Sequence, residues 1–375
     1  MRITYIGSFE SDYPRNRTIA NGLRLSGIEV TELRIDLWKG VPHKFKIGFG
    51  LLLWLSVKYF FGCLWLFFRG LFHQTDCYLV GYPGHWDMFT CRLLAFCKRK
   101  PIVFDAFVSL WDSLVMDRET LKEDGLKAKA FFWLDRSSCS LADHILVDTP
   151  EHADFFAETF GIARKKITPI PVGCDQAVYH VYSEIEKREK FTVVFHGKSI
   201  PLQGLEYIVS AAEILLEEGV QFVITADGQT AERSKREAIR RKITNIEWHG
   251  WTPSVELARR DSACHVGLGI FGTTPKARRV IPNKVFEMIR LGLPLITGDT
   301  PAVRSILSDG RDCIMVPVGD PEAIARAILK LRDSEDLRTR IAVEAQEVYE
   351  ETWTLDKIGE QVCQVFREVV PETRG

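Results

Sequence analysis

A turn built on Gly197 and Lys198, a second on Gly228, and a cation-rich run ending at Glu287 are the residues best able to do chemistry together. The stretch 194–198 (VFHGK) is an apolar strand that stops at a glycine and precedes a helical pattern. Glycine lets the backbone turn where a side chain would block it. Lys198 sets a cation beside that turn, and the helix that follows opens with free N–H groups, so the arrangement can hold a diphosphate. The stretch 226–229 (ADGQ) ends the next strand in a glycine turn at the same sheet edge. In 267–294, a glycine-containing loop carries Lys276, Arg278 and Arg279 before Pro282 starts a helix, a position proline favours. Amides near Asn283 and Lys284 then face an anion with the helix dipole behind them. Glu287 lies one turn on, where a carboxylate can accept two hydroxyl hydrogen bonds from a ribose. Singly, the Gly197 and Gly228 turns read equally well as ordinary strand-to-helix connections.

These residues need a parallel sheet to place them on one edge. Short, continuously apolar runs at 3–6, 30–33, 77–80, 102–104 and 144–147 suit strands buried on both faces. A helix fits 18–25. A polar stretch at 182–190 (YSEIEKREK) reads as an interdomain linker, and the rhythm then restarts. Strands are expected at 192–196, 221–225, 246–248, 265–268, 294–297 and 313–316. Helices are expected at 205–218, 231–242, 254–260, 283–291, 301–308 and 321–334. Strands alternating with helices mean βα units and parallel sheets. The reading is thus α/β, with an N-terminal domain over 1–175, a second over 186–350 and a terminal helix in 351–375. A ligand is expected in the cleft between the domains.

Composition agrees with a folded enzyme and narrows its class. The formal net charge of −1 over 375 residues argues against a nucleic-acid binder, which usually carries a basic excess. The nine cysteines are scattered without a C-x-x-C pair, which fits small core residues in a reducing cytoplasm better than disulfides or structural zinc. Residues 1–7 read directly as a strand, with no signal peptide, so work on the cytoplasmic side is expected.

The stretch 195–316 resembles glycosyltransferase family 4, the retaining family of GT-B fold. The motifs that carry the resemblance are FHGKSIPLQGLEYI, ADGQT, GIFGTTPKARRVIPNKVFEM and GLPLITGDTPAVRSIL. It covers about two-thirds of the chain well and the N-terminal third only in outline. It implies two Rossmann-like domains, a deep cleft, and a terminal helix crossing back to the first domain. It also implies transfer of a sugar from a nucleotide-diphosphate donor with retention. The family's glycine–cation turn falls on Gly197 and Lys198, and its ribose-binding glutamate on Glu287. Departures are as clear. Gln203 stands where a second phosphate lysine is usual, and Arg279 where the first glutamate of E-x7-E is usual. The resemblance therefore implies a donor site of Gly197, Lys198, Gly228, Lys276, Arg279, Asn283, Lys284 and Glu287. No metal or other cofactor is expected, because Lys198, Lys284 and helix N-termini meet the diphosphate's charge and no D-x-D follows a strand.

The first domain is less decided. The family's histidine near the reacting centre falls around Phe107, leaving Asp105 and Ser109 as the nearest polar groups. Asp105 joins Lys198 and Glu287 as a catalytic candidate because it ends a strand. A helix cap or a buried structural carboxylate is the alternative. His85 is a candidate acid–base or acceptor ligand. The loop 7–17 reads as an acceptor contact, a phosphate contact or a solvated loop. Asp117–Arg118 and Asp135–Arg136 read as ion pairs or caps, and Asp175 as a residue that organises the hinge. Two other functions fit the same residues, a nucleotide-sugar epimerase and a catalytically silent glycosyltransferase-like subunit.

One apolar segment stands apart. Between 47 and 68 only Lys58 is charged. A single membrane crossing would put the strands at 30–33 and 77–80 on opposite sides of a bilayer. An in-plane helix, a hairpin bent at Gly62, or a buried core helix remain. Trp54, Tyr59 and Trp65, with Lys44, Lys46 and Arg69 at the flanks, suit the in-plane helix. That reading makes 45–72 a membrane-surface contact at the inner face of the cell membrane, and the acceptor a lipid-linked glycan or glycolipid.

Overall fold

The computed structural model describes residues 1–37 and 48–370. Lys44 and Lys46, and with them the start of the apolar segment, lie outside the described residues. The first domain holds strands β1 (Arg2–Gly7), β2 (Glu29–Arg34), β3 (Cys77–Val80), β4 (Ile102–Phe107), β5 (His144–Val147) and β6 (Ile167–Pro169). Its helices are α1 (Pro14–Leu25), α2 (Phe49–Phe72), α3 (Asp87–Lys98), α4 (Leu126–Leu141) and α5 (Pro150–Phe160). A π-helical turn at Asp112–Asp117 follows β4, and nothing in its residue pattern marks it.

The second domain holds β7 (Thr192–Lys198), β8 (Gln221–Asp227), β9 (Ile246–His249), β10 (Val266–Leu268), β11 (Leu295–Gly298) and β12 (Ile314–Val316). Between and after them run α6 (Leu205–Ile214), α7 (Ala231–Arg240), α8 (Ser254–Ser262), α9 (Asn283–Arg290), α10 (Pro301–Arg304) and α11 (Pro321–Arg332). Helices α12 (Glu335–Thr352) and α13 (Leu355–Val369) complete the chain. Two expected helices are shorter than their apolar patterns. Helix α6 stops at Ile214 because the chain turns back to β8 through Gly219, at φ 69°. Helix α10 stops at Arg304, where the 308–312 loop is closed by Ser308 N–H donating to Asp312 at 2.7 Å.

Both sheets are parallel, and their strand orders locate the sites. The first runs β2-β1-β3-β4-β5-β6 and the second β12-β11-β10-β7-β8-β9. Strand order reverses between β1 and β3 in one and between β7 and β10 in the other, and ligands of open α/β sheets bind outside the strand ends at such points. Helix α13 returns to the first domain and packs Ile358, Val362 and Phe366 with Ile19 and Leu23 of α1. That crossing needs two glycines: a methyl on Gly359 would lie 2.0 Å from the Gly22 carbonyl oxygen.

Helix α2 runs unbroken through Gly62, so the hairpin reading is corrected. Gly62 serves close packing instead, since a methyl there would lie 2.8 Å from Ile35. The core-helix reading is corrected too. Leu55 and Leu66 are buried, but Phe60 and Phe61 are 60% and 63% exposed.

Candidate functional site

The second sheet's switch point is built from three interlocked loops. Gly197, next to the last residue of β7, has φ 144°, a conformation that favours glycine. Gly228, at φ 117°, lies against the Ser199 backbone, and the Ser199 and Thr230 hydroxyls meet at 2.6 Å. Behind them, Phe271 N–H donates to the Gln203 carbonyl at 3.1 Å and Gly272 N–H to Leu202 at 3.2 Å. The turns after β7, β8 and β10 are thus fixed relative to one another.

The side chains of Lys284 and Gln203 converge on the space over Gly197. A methyl built there would meet Lys284 Nζ at 3.8 Å and Gln203 Nε2 at 4.0 Å, contacts of ordinary length. Lys284 is only 3% exposed, its Nζ has no hydrogen-bond partner among the described residues, and it sits 3.4 Å over the Phe195 ring. Burial pushes its pKa well below the usual lysine range, against the opposing pull of Glu287. An unpartnered buried amine is costly, so the site is suited to an anion that would satisfy it. Helix α9 supplies more. Pro282 precedes it with no side-chain cap, so the Asn283 and Lys284 amides are available to a ligand, while Val285 N–H donates to the Pro282 carbonyl at 3.0 Å. Lys198 is exposed at the end of β7.

Glu287 faces this space from the next turn of α9. Its Oε2 accepts from His196 Nε2 at 2.7 Å, and His196 Nδ1 lies 2.6 Å from Asp261 Oδ2 of α8. Burial and the nearby charge of Glu287 push the Tyr179 phenol's pKa far above its usual range. His196, Asp261 and Tyr179 were not singled out from the sequence. His196 sat within a motif, next to Gly197, and its place at a strand end was the available signal.

Lys276 and Arg279 point elsewhere. Arg279 gives its guanidinium to Asp112 at 2.6 Å and lies 4.2 Å over the Phe155 ring. Lys276 bonds the Ser113 hydroxyl and lies 3.8 Å from Asp112. Both cations are committed across the cleft to the π-helical turn of the first domain. Asp117 of that turn accepts from Leu202 N–H at 3.0 Å and from the Thr274 hydroxyl at 3.1 Å. It is an interdomain cap, a role that a local pair with Arg118 does not describe.

Asp105 is fully enclosed. Arg15 grips both of its oxygens at 2.9–3.0 Å and also donates to the Ile170 and Pro171 carbonyls. The geometry is that of a buried structural carboxylate, with no face left for a substrate. Ser109 and Asp135 form a cap, the hydroxyl donating at 2.6 Å, while Asp135 also accepts from Trp111 N–H at 2.8 Å. His85 is buried 3.2 Å from Asp135 and edge-on to Phe104, away from open solvent. Asp175 pairs with Arg17 at 3.1 Å and caps Ala177, which suits a hinge. Phe107 has φ 56° and stacks edge-on with Tyr82, so the position where the resemblance puts a histidine is aromatic and backbone-strained.

The first sheet's switch point lies beside α2. Tyr59 of α2 donates to Asp87 Oδ1 at 2.8 Å, and Ser8 gives Asp87 Oδ2 both its N–H and its hydroxyl. Next to it is a cavity of about 290 Å³ lined by Ser8, Glu10, Asp12, Arg34 and Asp36 among others. The outward side of α2 is apolar: Leu53, Trp54, Val57, Phe60, Phe61, Leu64, Trp65 and Phe68 are all exposed.

Residues 190–334 match the family described as Glycosyl transferases group 1. An alpha-D-kanosaminyltransferase of Streptomyces kanamyceticus is 26% identical over 187 residues, 47% of this chain and 45% of that protein. A phosphatidyl-myo-inositol mannosyltransferase of Mycobacterium leprae is 26% identical over 186 residues, 48% of this chain and 46% of that protein. The chain spans about half the length of these curated relatives. Among solved structures, the Anabaena protein HepE in complex with UDP and glucose superposes with a TM-score of 0.69 at 12% identity, over 98% of this chain and 100% of that one. Sucrose-phosphate synthase from Thermosynechococcus elongatus superposes with a TM-score of 0.74 at 13% identity, over 98% of each chain. These likenesses establish the GT-B architecture.

Proposed function

We propose that the protein is a retaining glycosyltransferase that takes a sugar from a nucleotide-diphosphate donor. The observation that carries this reading is Lys284: a buried, unpartnered amine beside the Gly197 turn, at the strand-order switch of the second sheet. In the proposal the diphosphate lies over Gly197, between Lys284, Lys198 and the first turn of α9, with Gln203 beside it. Glu287 takes the ribose hydroxyls. As the sugar departs, charge grows on the diphosphate, and these groups oppose it. Losing one such preorganised contact typically costs about 2.7–4 kcal/mol in the transition state. The protein's own cations fill the role of a metal, so activity should survive a chelator.

The acceptor in this proposal is a lipid-linked glycan or glycolipid at the cytoplasmic face of a membrane. Support comes from the exposed apolar side of α2, whose opposite side, at Lys58 and Gly62, packs on residues 35–37 at the rim of the cavity at the β1 and β2 ends. An ordinary surface helix turns polar residues outward, and contiguous exposed apolar patches mark interaction sites.

The test is thermal unfolding with UDP, GDP, ADP and dTDP, for wild type and Glu287→Ala. A nucleotide at a hundred times its dissociation constant stabilises by about 2.7 kcal/mol. One nucleotide shifting wild type but not the variant is expected. No shift with any of them would overturn the donor site and favour the silent-subunit reading.

A further inference from the structure

His196 joins two carboxylates that belong to different helices. Its Nδ1 is 2.6 Å from Asp261 of α8 and its Nε2 is 2.7 Å from Glu287 of α9, with the ring 4% exposed. A neutral imidazole has one N–H and one bare lone pair. In either tautomer, one of these two contacts would set a ring lone pair against a carboxylate lone pair. The two short distances together therefore require one more proton, on the ring or on a carboxyl.

We infer that His196, held as an imidazolium by Asp261, is a positioning residue that fixes the Glu287 carboxylate for the donor's ribose. The inference rests on the donor site proposed above and adds to it a residue that never touches substrate. Holding Oε2 from one side limits how the carboxylate can rotate and leaves Oε1 for a hydroxyl. Asp261 is fully buried on α8, so it anchors the ring as second-layer carboxylates anchor ligating histidines. Burial by itself pulls the imidazole pKa down, but the charges and hydrogen bonds of Asp261 and Glu287 outweigh it and push the pKa up to about 9. Other groups close in from each side. Lys284 acts on Glu287 from their shared helix, and Tyr179, which precedes the 182–190 linker, lies within reach of its charge. Arg260 of α8 is held on Thr225 of β8, which pairs with His196. Lys284 titrates too, its pKa pushed down by burial, whereas burial pushes the Tyr179 phenol far above its usual range, so only a variant that removes the imidazole separates its proton from the amine's.

The experiment is calorimetric titration from pH 6.5 to 10 with whichever of UDP, GDP, ADP and dTDP binds wild type most tightly. Wild type, His196→Gln, Asp261→Asn and Glu287→Ala are compared, with thermal unfolding as the folding control. Wild-type affinity should fall as pH rises, by up to about tenfold per pH unit for each linked proton, with a step near pH 9 that belongs to His196. His196→Gln keeps an amide donor but no titrating ring. It should bind about tenfold more weakly at pH 7 and lose the part of the alkaline fall that begins near pH 9. Asp261→Asn, with one carboxylate charge removed, should move that fall to lower pH. An alkaline fall of the same midpoint in wild type, His196→Gln and Asp261→Asn would overturn the inference. Should His196→Gln fail to fold, the wild-type and Asp261→Asn midpoints decide it by themselves. Unchanged binding in Glu287→Ala would instead overturn the ribose role of Glu287, and absence of any nucleotide binding the donor site itself.

Discussion

Arg279 of the second domain and Asp112 of the first meet across the cleft, guanidinium to carboxylate, at 2.6 Å. The resemblance puts a glutamate at position 279, and here a cation closes the domains upon each other. Lys276 reinforces the contact from 3.8 Å.

Removing the carboxylate should therefore open the cleft. Breaking a buried charge pair typically costs about 3–5 kcal/mol. An open form that hydrates both cations limits the cost to that of opening. For Asp112→Ala we expect a larger radius of gyration by small-angle scattering, with little loss of secondary structure. A radius equal to wild type would show that other interdomain contacts suffice.

Asp105 invites the opposite expectation. With Arg15 on both oxygens and neither side chain exposed, Asp105→Ala leaves a buried guanidinium unmatched. It should lose about 3–5 kcal/mol of stability. The double variant Arg15→Met, Asp105→Leu should recover part of that loss, because apolar replacement of a buried pair is often neutral. Asp105→Ala that unfolds like wild type yet turns over no donor would restore a catalytic role.

Much of this arrangement was legible in the sequence. Period and turn residues located the strand that carries Gly197, the strand that Gly228 follows and the helix that carries Glu287, because buried parallel strands are short, apolar and closed by glycine. Partnerships across the fold were not legible. Arg15 and Asp105 are separated by 90 residues, His196 and Glu287 by 91, and Arg279 and Asp112 by 167. No local pattern encodes such meetings, so the strand-end position of Asp105 suggested catalysis while its partner stayed out of sight. Helix α2 shows the same limit. Its composition allowed three placements, and only its packing on Ile35 and Leu94 shows which side faces out.

That outward side should be what holds the protein to lipid. Full burial of a large apolar side chain is worth about 1.5–3 kcal/mol, and half of each ring is already covered. Replacing Trp54, Phe60, Phe61 and Trp65 by Gln or Ser should then cost roughly 3–6 kcal/mol of bilayer affinity, at least a hundredfold. Their exposure predicts an unchanged melting temperature. Co-sedimentation with vesicles containing anionic lipid measures the effect, and equal binding by the variant would remove the membrane from the proposal.

Lys284 should separate stability from binding. In the unfolded chain its amine titrates near 10.5, and in the fold burial pushes it well below that value. Between the two values the unfolded chain holds the extra proton, so without ligand stability rises with pH up to about 10.5. Lys284→Met removes the unpartnered amine and this linkage together. The ligand-free variant should be as stable as wild type at pH 7, or more so, with a flatter dependence on pH. Nucleotide must act in the other direction, because a diphosphate at Gly197 gives the amine its missing partner. Binding to wild type should draw in a proton, seen as a calorimetric enthalpy that varies with the buffer's ionisation enthalpy. The variant should show neither that dependence nor the nucleotide-induced rise in melting temperature. A variant that is much less stable without ligand, yet still stabilised by nucleotide, would mean that Lys284 is a packing residue and the diphosphate lies elsewhere.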